Sequence, residues 1–247
     1  MLILAFESSA KPVSVAVCSD GELLGQYFQN NGLTHSRTLL SMADSLMKNL
    51  DLAIEDIGMI AVSRGPGSFT GVRIGVSAAK GFAFGLDIPV CGVSTLEAIA
   101  YQTSVQVPAP SQKNGTMPCN STGRTDHLLC PVMDARRGQV YNALFKLHEG
   151  RPVRLCDDRA ISFENLSSSL MDYAASCILL GDGAAICYER LNAAGNYCSI
   201  APDLIRWQTA YGVSLAAAGK DPVPAEALEP CYLRPPQAER ERGAPHS

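Results

Sequence analysis

The spacing of apolar residues divides the first part of the chain into short strands and helices. The first thirty residues predict three strands, at 2–6, 13–18 and 22–28, and Asp20-Gly21 between the last two is a hairpin signal. Apolar residues then recur at helical spacing over 34–50. The pattern predicts a sheet that begins with three antiparallel strands and is flanked by a helix.

The next elements alternate between strand and helix. Residues 57–63 are apolar enough to form a strand that is buried on both faces. A glycine-rich loop at 65–71 leads into a second helix that ends near Gly85, and a strand at 88–93 and a further helix follow. Residues 103–127 break this pattern, because they are rich in polar residues and proline and lack periodic apolar positions.

The second half of the chain repeats the order of the first. A strand at 128–133, a long strand at 139–147 and a third strand around 153–156 precede alternating helices and strands, and the last helix covers 204–218. The predicted units are an N-terminal lobe at 1–102, an exposed linker loop at 103–127, a C-terminal lobe at 128–233 and a disordered tail at 234–247.

Two repeats of this kind predict an α/β fold of two duplicated actin-like, RNase H-like lobes. Each lobe would contain a mixed β-sheet that begins with three antiparallel strands and is flanked by helices. The same class of fold includes sugar kinases and chaperone ATPases, so an ATP-dependent kinase is an alternative function at this point.

Composition limits the partners and the compartment. The formal net charge is −4, so the chain lacks the overall basic character of a protein that grips nucleic acid alone, and any RNA contact is expected to be shared with a partner. No apolar stretch approaches the length of a membrane span and no signal peptide is visible, so a cytoplasmic protein without a membrane contact is expected. The nine cysteines include no CxxC pair, which argues against a disulfide framework and a structural zinc site.

The glycine-rich loop is the strongest local signal for ligand binding. It lies between a buried strand and a helix, where backbone N–H groups can hold an anion, although it matches neither the Walker A nor the GxGxxG pattern. The alternative is that the glycines serve a tight turn and close packing. The candidate residues for an anion or nucleotide site are Glu7, Gly65, Gly67, Ser68, Thr70 and Arg73.

Metal ligation receives little support from the sequence. The four histidines form no HxxxH pair, so no metal site is predicted. Glu7 and Asp134 each follow the first strand of a lobe and could hold magnesium, as paired acids do in actin-like ATPases. Against this, Arg136 and Arg137 stand where a phosphate-binding hairpin would have glycine and hydroxyl residues; they could instead meet acidic groups of a partner or remain solvated.

The helix after the glycine loop carries several small residues. Glycine inside a helix costs about 1 kcal/mol relative to alanine, so a compensating close contact is expected. That contact could be a helical interface with a second protein or packing inside this domain. On the first interpretation, an arginine at Gly75 would abolish partner binding and leave the fold intact.

Five segments resemble the TsaB family, a component of the machinery that makes threonylcarbamoyladenosine in tRNA. They are SRGPGSFTGVRIGVSAAKG at 63–81, VSTLEA at 93–98, DARRGQVY at 134–141, Gly181-Asp-Gly183 and Tyr232-Leu-Arg234. The resemblance implies a non-catalytic subunit that pairs with the catalytic homologue TsaD, joins the ATPase TsaE in a larger assembly, and meets tRNA only through that complex. It implies no cofactor of its own, although a nucleotide could be shared at the subunit interface.

The resemblance also implies where the partner binds. In the family, two helices of the N-terminal lobe form a bundle with TsaD, and the same helices could pair two copies of this chain when TsaD is absent. The implied interface residues are Leu39, Leu40, Ala43, Leu46, Met47, Gly71, Gly75, Ala78, Ala79 and Phe82.

Overall fold

The structure is a computed structural model, and it describes residues 1–32, 34–104, 128–173 and 176–234. The first lobe consists of β1 (Leu2–Glu7), β2 (Val13–Ser19), β3 (Glu22–Gln29), α1 (His35–Asn49), β4 (Met59–Ser63), α2 (Phe69–Ala83), β5 (Val90–Val93) and α3 (Thr95–Tyr101). The second consists of β6 (Leu128–Arg136), β7 (Gln139–Asn142), β8 (Phe145–His148), β9 (Arg151–Arg154), β10 (Arg159–Ser162), α4 (Phe163–Met171), β11 (Cys177–Leu180), α5 (Ala184–Ala193), β12 (Cys198–Ile200), α6 (Asp203–Arg206) and α7 (Ala210–Ala217).

The two sheets have the same topology. The first has the strand order β3-β2-β1-β4-β5, and the main path of the second has the order β10-β7-β6-β11-β12. In each sheet the first three strands of this order are antiparallel and the last two are added in parallel. The duplicated α/β architecture expected from the sequence is therefore confirmed.

Alternate residues of the first sheet enter two different cores. Leu4 and Phe6 pack with the apolar faces of α1 and α2, whereas Ile3 and Ala5 belong to a cluster on the opposite face. Because side chains alternate across a strand, this two-sided burial explains the continuous apolar runs in the sequence.

The last helix of each lobe packs on the sheet of the other lobe. Helix α7 contacts β1, β2 and β4 of the first sheet, while α3 contacts β6 of the second. The two helices also pack on each other, so closely that a Cβ at Gly212 would lie 2.3 Å from the carbonyl oxygen of Ala98. The sequence-based division placed α7 in the C-terminal lobe by its position in the chain, but in space it covers the first sheet.

The second lobe differs from the prediction in its strands and last helix. The strand predicted at 139–147 is two strands, because β7 pairs with the end of β6 and β8 pairs with its beginning. The third antiparallel strand of the sheet is β10, not the segment at 153–156. The helix predicted at 204–218 is interrupted, since Thr209 begins α7 by accepting a hydrogen bond from the backbone N–H of Gly212.

Two predicted segments lie mainly beyond the described ranges. These are the linker, of which only 103–104 are described, and the tail beyond Arg234. Within the described part of the chain, every helix is too short or too polar to cross a membrane.

Candidate functional site: the helix groove and the glycine loop

An open groove lies between α1 and α2 on the surface of the first lobe. Its volume is about 1060 Å³, and its floor is formed by apolar side chains of both helices. Leu40, on the α1 side, leaves 52% of its surface exposed. The ion pair between Lys48 and Asp44, at 2.8 Å, also lines the groove. We call this feature the α1–α2 groove.

The residues expected at the partner interface divide into two groups. Those that line the groove are Leu39, Leu40, Met47, Ala78 and Phe82. Those that are buried in the lobe and do not line it are Ala43, Leu46, Gly71, Gly75 and Ala79. Groove residues that sequence reasoning missed include Ser36, Asp44, Lys48, Ser77 and Gly81. Their helical spacing of about four residues was the signal that could have found them.

The small residues of α2 mainly serve packing within this chain. A Cβ at Gly75 would lie 2.6 Å from the Ser8 hydroxyl oxygen and 3.2 Å from a methyl carbon of Val62. A Cβ at Gly71 would lie 2.1 Å from the carbonyl oxygen of Ser8. The expectation that an arginine at Gly75 would leave the fold intact is therefore wrong, because the side chain would point into the core.

The glycine loop is filled by the protein's own backbone. The N–H of Ser68 donates to the carbonyl oxygen of Ser9 at 2.6 Å, and a Cβ at Gly67 would lie 2.4 Å from the same oxygen. On the other side, a Cβ at Gly65 would lie 2.2 Å from the carbonyl oxygen of Cys231. Ser68 also caps α2 by accepting from the N–H of Gly71. The loop geometry thus fits the close-packing alternative.

Glu7 is fully buried beside this loop. Its Oε1 accepts hydrogen bonds from the backbone N–H and the hydroxyl of Ser9, both at 2.6 Å, whereas its Oε2 has no partner. Burial raises the pKa of Glu7, and the hydrogen bonds from the Ser9 hydroxyl and N–H only partly offset this effect. Burial thus makes the Glu7 carboxyl harder to ionise than an exposed one.

Two acidic residues of the second lobe, Asp134 and Asp182, lie near the end of β6 and just before α5. Asp134 is exposed, and its Oδ1 accepts from the backbone N–H of Arg136 at 2.7 Å. Burial raises the pKa of Asp182, and the nearby Asp134 carboxylate adds to the shift. In the part of the chain that the structure describes, no three His, Cys, Asp or Glu side chains come together as a metal site.

The remaining two loop candidates face the groove. Thr70 is exposed and lines it. The guanidinium of Arg73 lies 3.8 Å from the ring centroid of Phe69, and its Nε donates to the hydroxyl of Tyr232 at 2.9 Å. Arg73 is thus held at the groove by two aromatic side chains from different parts of the chain.

Comparison with known proteins places these features in a family. A family model described as TsaD, tRNA N6-adenosine threonylcarbamoyltransferase, matches residues 31–175. A Bacillus subtilis protein named tRNA threonylcarbamoyladenosine biosynthesis protein TsaB is 31% identical over 187 residues, which are 75% of this chain and 73% of the relative. This chain belongs to the TsaB family.

Further relatives include a second protein of the same name, a solved structure and a threonylcarbamoyltransferase. The Escherichia coli protein of the same name is 34% identical over 149 residues, 60% of this chain and 57% of its own length. A solved Pseudomonas aeruginosa structure, titled YeaZ, is 25% identical with a TM-score of 0.74, and the match covers 94% of this chain and 99% of that one. A Desulfovibrio desulfuricans tRNA N6-adenosine threonylcarbamoyltransferase is 31% identical over 123 residues, 44% of this chain and 34% of its own length.

Proposed function

We propose that this chain is a non-catalytic partner subunit in the biosynthesis of threonylcarbamoyladenosine in tRNA. It would bind a TsaD-like catalytic subunit through the α1–α2 groove and meet tRNA within that complex. The observation that carries the proposal is an open apolar groove on the first lobe of a TsaB-family chain. The TsaB relatives favour this function over an ATP-dependent kinase of the same fold class.

The choice of partner follows from homology. The match to threonylcarbamoyltransferases begins before α1 and extends beyond α2, so a TsaD-like chain has the counterpart of this helix pair. Two related helix pairs can pack face to face in the way that a two-fold symmetric dimer packs identical ones. A TsaD-like chain is therefore the expected occupant, and a second copy of this chain is the competing one.

The non-catalytic role is supported by the site around Glu7. The Ser8–Ser9 turn and the carbonyl of Cys231 pack directly against the glycine loop, and the N–H of Ser68 is already bonded to the carbonyl oxygen of Ser9. The buried Glu7 carboxyl is held by Ser9 and does not face the groove. This arrangement fits a subunit that contributes through its contacts better than one that carries out chemistry itself. Those contacts would include a TsaE-like ATPase and a nucleotide shared between subunits.

The groove can be tested with one substitution inside it and one outside it. Ser77 is exposed on α2 and lines the groove, whereas Ser45 is exposed on α1 and does not. Ser77→Arg and Ser45→Arg add the same side chain, but only the first would bury a charge against the partner. Because an unpaired buried charge costs roughly 2–5 kcal/mol, Ser77→Arg should weaken TsaD binding by at least about thirtyfold.

The measurement is co-expression with the TsaD homologue of the same genome, followed by titration calorimetry and mass spectrometry of the tRNA nucleosides. We expect Ser45→Arg to bind and support modification like the wild type, and Ser77→Arg to lose both while keeping its unfolding temperature. Equal binding by the two variants would refute the groove assignment. A wild-type chain that forms only homodimers, with no effect on tRNA modification, would refute the function.

A further inference from the structure

Four arginines lie around the C-terminal segment 231–234, where the two lobes meet. Arg64 follows β4 in the first lobe, Arg136 and Arg137 form the tip of the β6–β7 hairpin in the second, and Arg234 ends the segment. We call them the arginine strip. None of the four is in an ion pair with any residue of the described ranges. The carboxylate of Asp134, on the same hairpin, accepts a hydrogen bond from the backbone N–H of Arg136 at 2.7 Å.

The segment 231–234 holds the strip together. The N–H of Cys231 donates to the carbonyl oxygen of Arg64 at 2.6 Å. Three residues later, Nη1 of Arg234 donates to the carbonyl oxygen of Ala135 at 2.6 Å and to that of Arg136 at 3.5 Å. Since four extended residues span at most about 14 Å, the segment brings the backbone of Arg64 in the first lobe close to the β6–β7 hairpin tip in the second.

The hairpin tip has a backbone conformation that disfavours arginine. Arg136 has φ of 61° and Arg137 has φ of 54°, and Gly138 follows with φ of 72°. A left-handed conformation costs an L-residue roughly 1–2 kcal/mol, and glycine or asparagine would adopt it more readily. Both arginine side chains are exposed, so packing does not account for them. We therefore attribute the presence of arginine at these two positions to its positive charge.

We propose that the arginine strip binds phosphate groups of the tRNA backbone. The proposal rests on the proposed function and names the surface through which this subunit meets its RNA. Guanidinium groups match phosphate geometry and stay charged at all physiological pH values. Because the chain as a whole carries a net charge of −4, its attraction to RNA must come from a local group of basic residues such as this strip.

The strip is also placed to act together with a partner in the α1–α2 groove. Tyr232, next to Cys231, accepts a hydrogen bond from Arg73, which lines that groove. An RNA that lies along 231–234 would therefore be close to a subunit bound in the groove. This accounts for an RNA contact that is strong only in the complex, since a strip of four arginines offers few phosphate contacts by itself.

The test measures tRNA binding by the complex of the full chain with its TsaD-like partner, using fluorescence anisotropy. The salt is varied between about 50 and 300 mM KCl, because salt competes with phosphate contacts over about this interval. The main variant is Arg136→Asn/Arg137→Asn, because asparagine tolerates the left-handed backbone. A plot of log affinity against log salt has a negative slope, and each lost phosphate contact makes it about 0.8 less steep. Two lost contacts then correspond to a roughly twentyfold weaker affinity at about 0.15 M salt. The unfolding temperature should stay the same or rise.

Single substitutions provide a matched control. Arg137→Asn and Arg151→Asn each remove one exposed arginine, but Arg151 lies on β9 and outside the strip. We expect the first to weaken tRNA binding and lower the salt slope by about 0.8, and the second to do neither. Equal effects of the two would overturn the proposal, because only net charge would then matter.

Two further outcomes would also overturn it. Wild-type affinity and salt slope in the double variant would show that the strip does not touch RNA. Loss of magnesium–ATP or inorganic phosphate binding with unchanged tRNA affinity would assign the guanidinium groups to a small phosphate ligand. Failure of the partner to bind the wild-type chain would count against the proposed function instead, and the double variant is expected to retain the partner fully.

Discussion

Two glycines of helix α2, Gly71 and Gly81, should respond to alanine with opposite signs. Gly81 is exposed, and nothing lies within 4 Å of the position that its Cβ would take. Gly81→Ala therefore gains helix propensity without a clash, and we expect a stabilisation of about 0.5–1 kcal/mol.

Gly71→Ala gains the same propensity but meets a rigid obstacle. The new Cβ would lie 2.1 Å from the carbonyl oxygen of Ser8 and 3.3 Å from the carbonyl carbon, so the Ser8 backbone would have to move by more than about 1 Å. That movement would also stretch the hydrogen bond of 2.9 Å from the Ser8 hydroxyl to the carbonyl oxygen of Gly71. Overpacking costs roughly 1–3 kcal/mol and a buried hydrogen bond about another 1, so after the helix gain of about 1 kcal/mol a net loss of about 1–3 kcal/mol remains.

The assay is thermal and urea unfolding of both variants beside the wild type. For a chain of this size 1 kcal/mol corresponds to about 2–4 °C, so we expect an increase of about 1–4 °C for Gly81→Ala and a decrease of about 2–12 °C for Gly71→Ala. Coincidence of circular dichroism and fluorescence transitions is needed before the midpoints are converted to free energies. Shifts of the same sign would refute the packing of the Ser8–Ser9 turn against α2.

Two further variants test buried polar groups. Burial raises the pKa of Glu7, so its contribution to stability is full below the ordinary carboxyl pKa and is lost as the pH rises through the raised value. In urea titrations, Glu7→Gln should therefore gain stability relative to the wild type as the pH rises above the ordinary carboxyl pKa, and a pH-independent difference would contradict this. Arg154 lies 2.6 Å from Asp158 and 3.8 Å from Glu97 of α3, all partly buried. Arg154→Ala should cost about 2 kcal/mol in the same titrations, and a cost below about 0.5 kcal/mol would show that the contact between the lobes does not depend on it.

Apolar periodicity was sufficient to predict the first lobe, because β1, β2 and β4 are buried on both faces and α1 has a single apolar stripe. The same signal failed for β10 and β12, because these strands have only four and three residues and most of those residues are half-buried. It also could not show that α7 crosses to the first sheet. Nearly every residue of that helix is buried, so its sequence has no polar face to indicate which neighbour it meets.

The candidate site was predicted at the level of helices and not of side chains. The apolar stripe of α1 is the face that packs on its own sheet, so a search for apolar positions selected core residues such as Ala43 and Leu46. The groove instead contains polar positions such as Asp44 and Ser77, which a sequence pattern assigns to solvent. The role of the loop glycines depended on the carbonyl groups of Ser9 and Cys231, and local sequence carries no information about that distant contact.

The exchange of terminal helices has a consequence for synthesis of the protein on the ribosome. The first sheet is complete in sequence at Val93, but the helix that covers one of its faces ends at Ala217. About 120 residues must be translated in between, which takes roughly 6–24 s at about 5–20 residues per second. During this interval the face that carries Ile3, Ala5 and Met59 lacks part of its cover, so the nascent chain offers an apolar surface that chaperones can bind. Folding of the first half is therefore completed by the second, and the two lobes mature together.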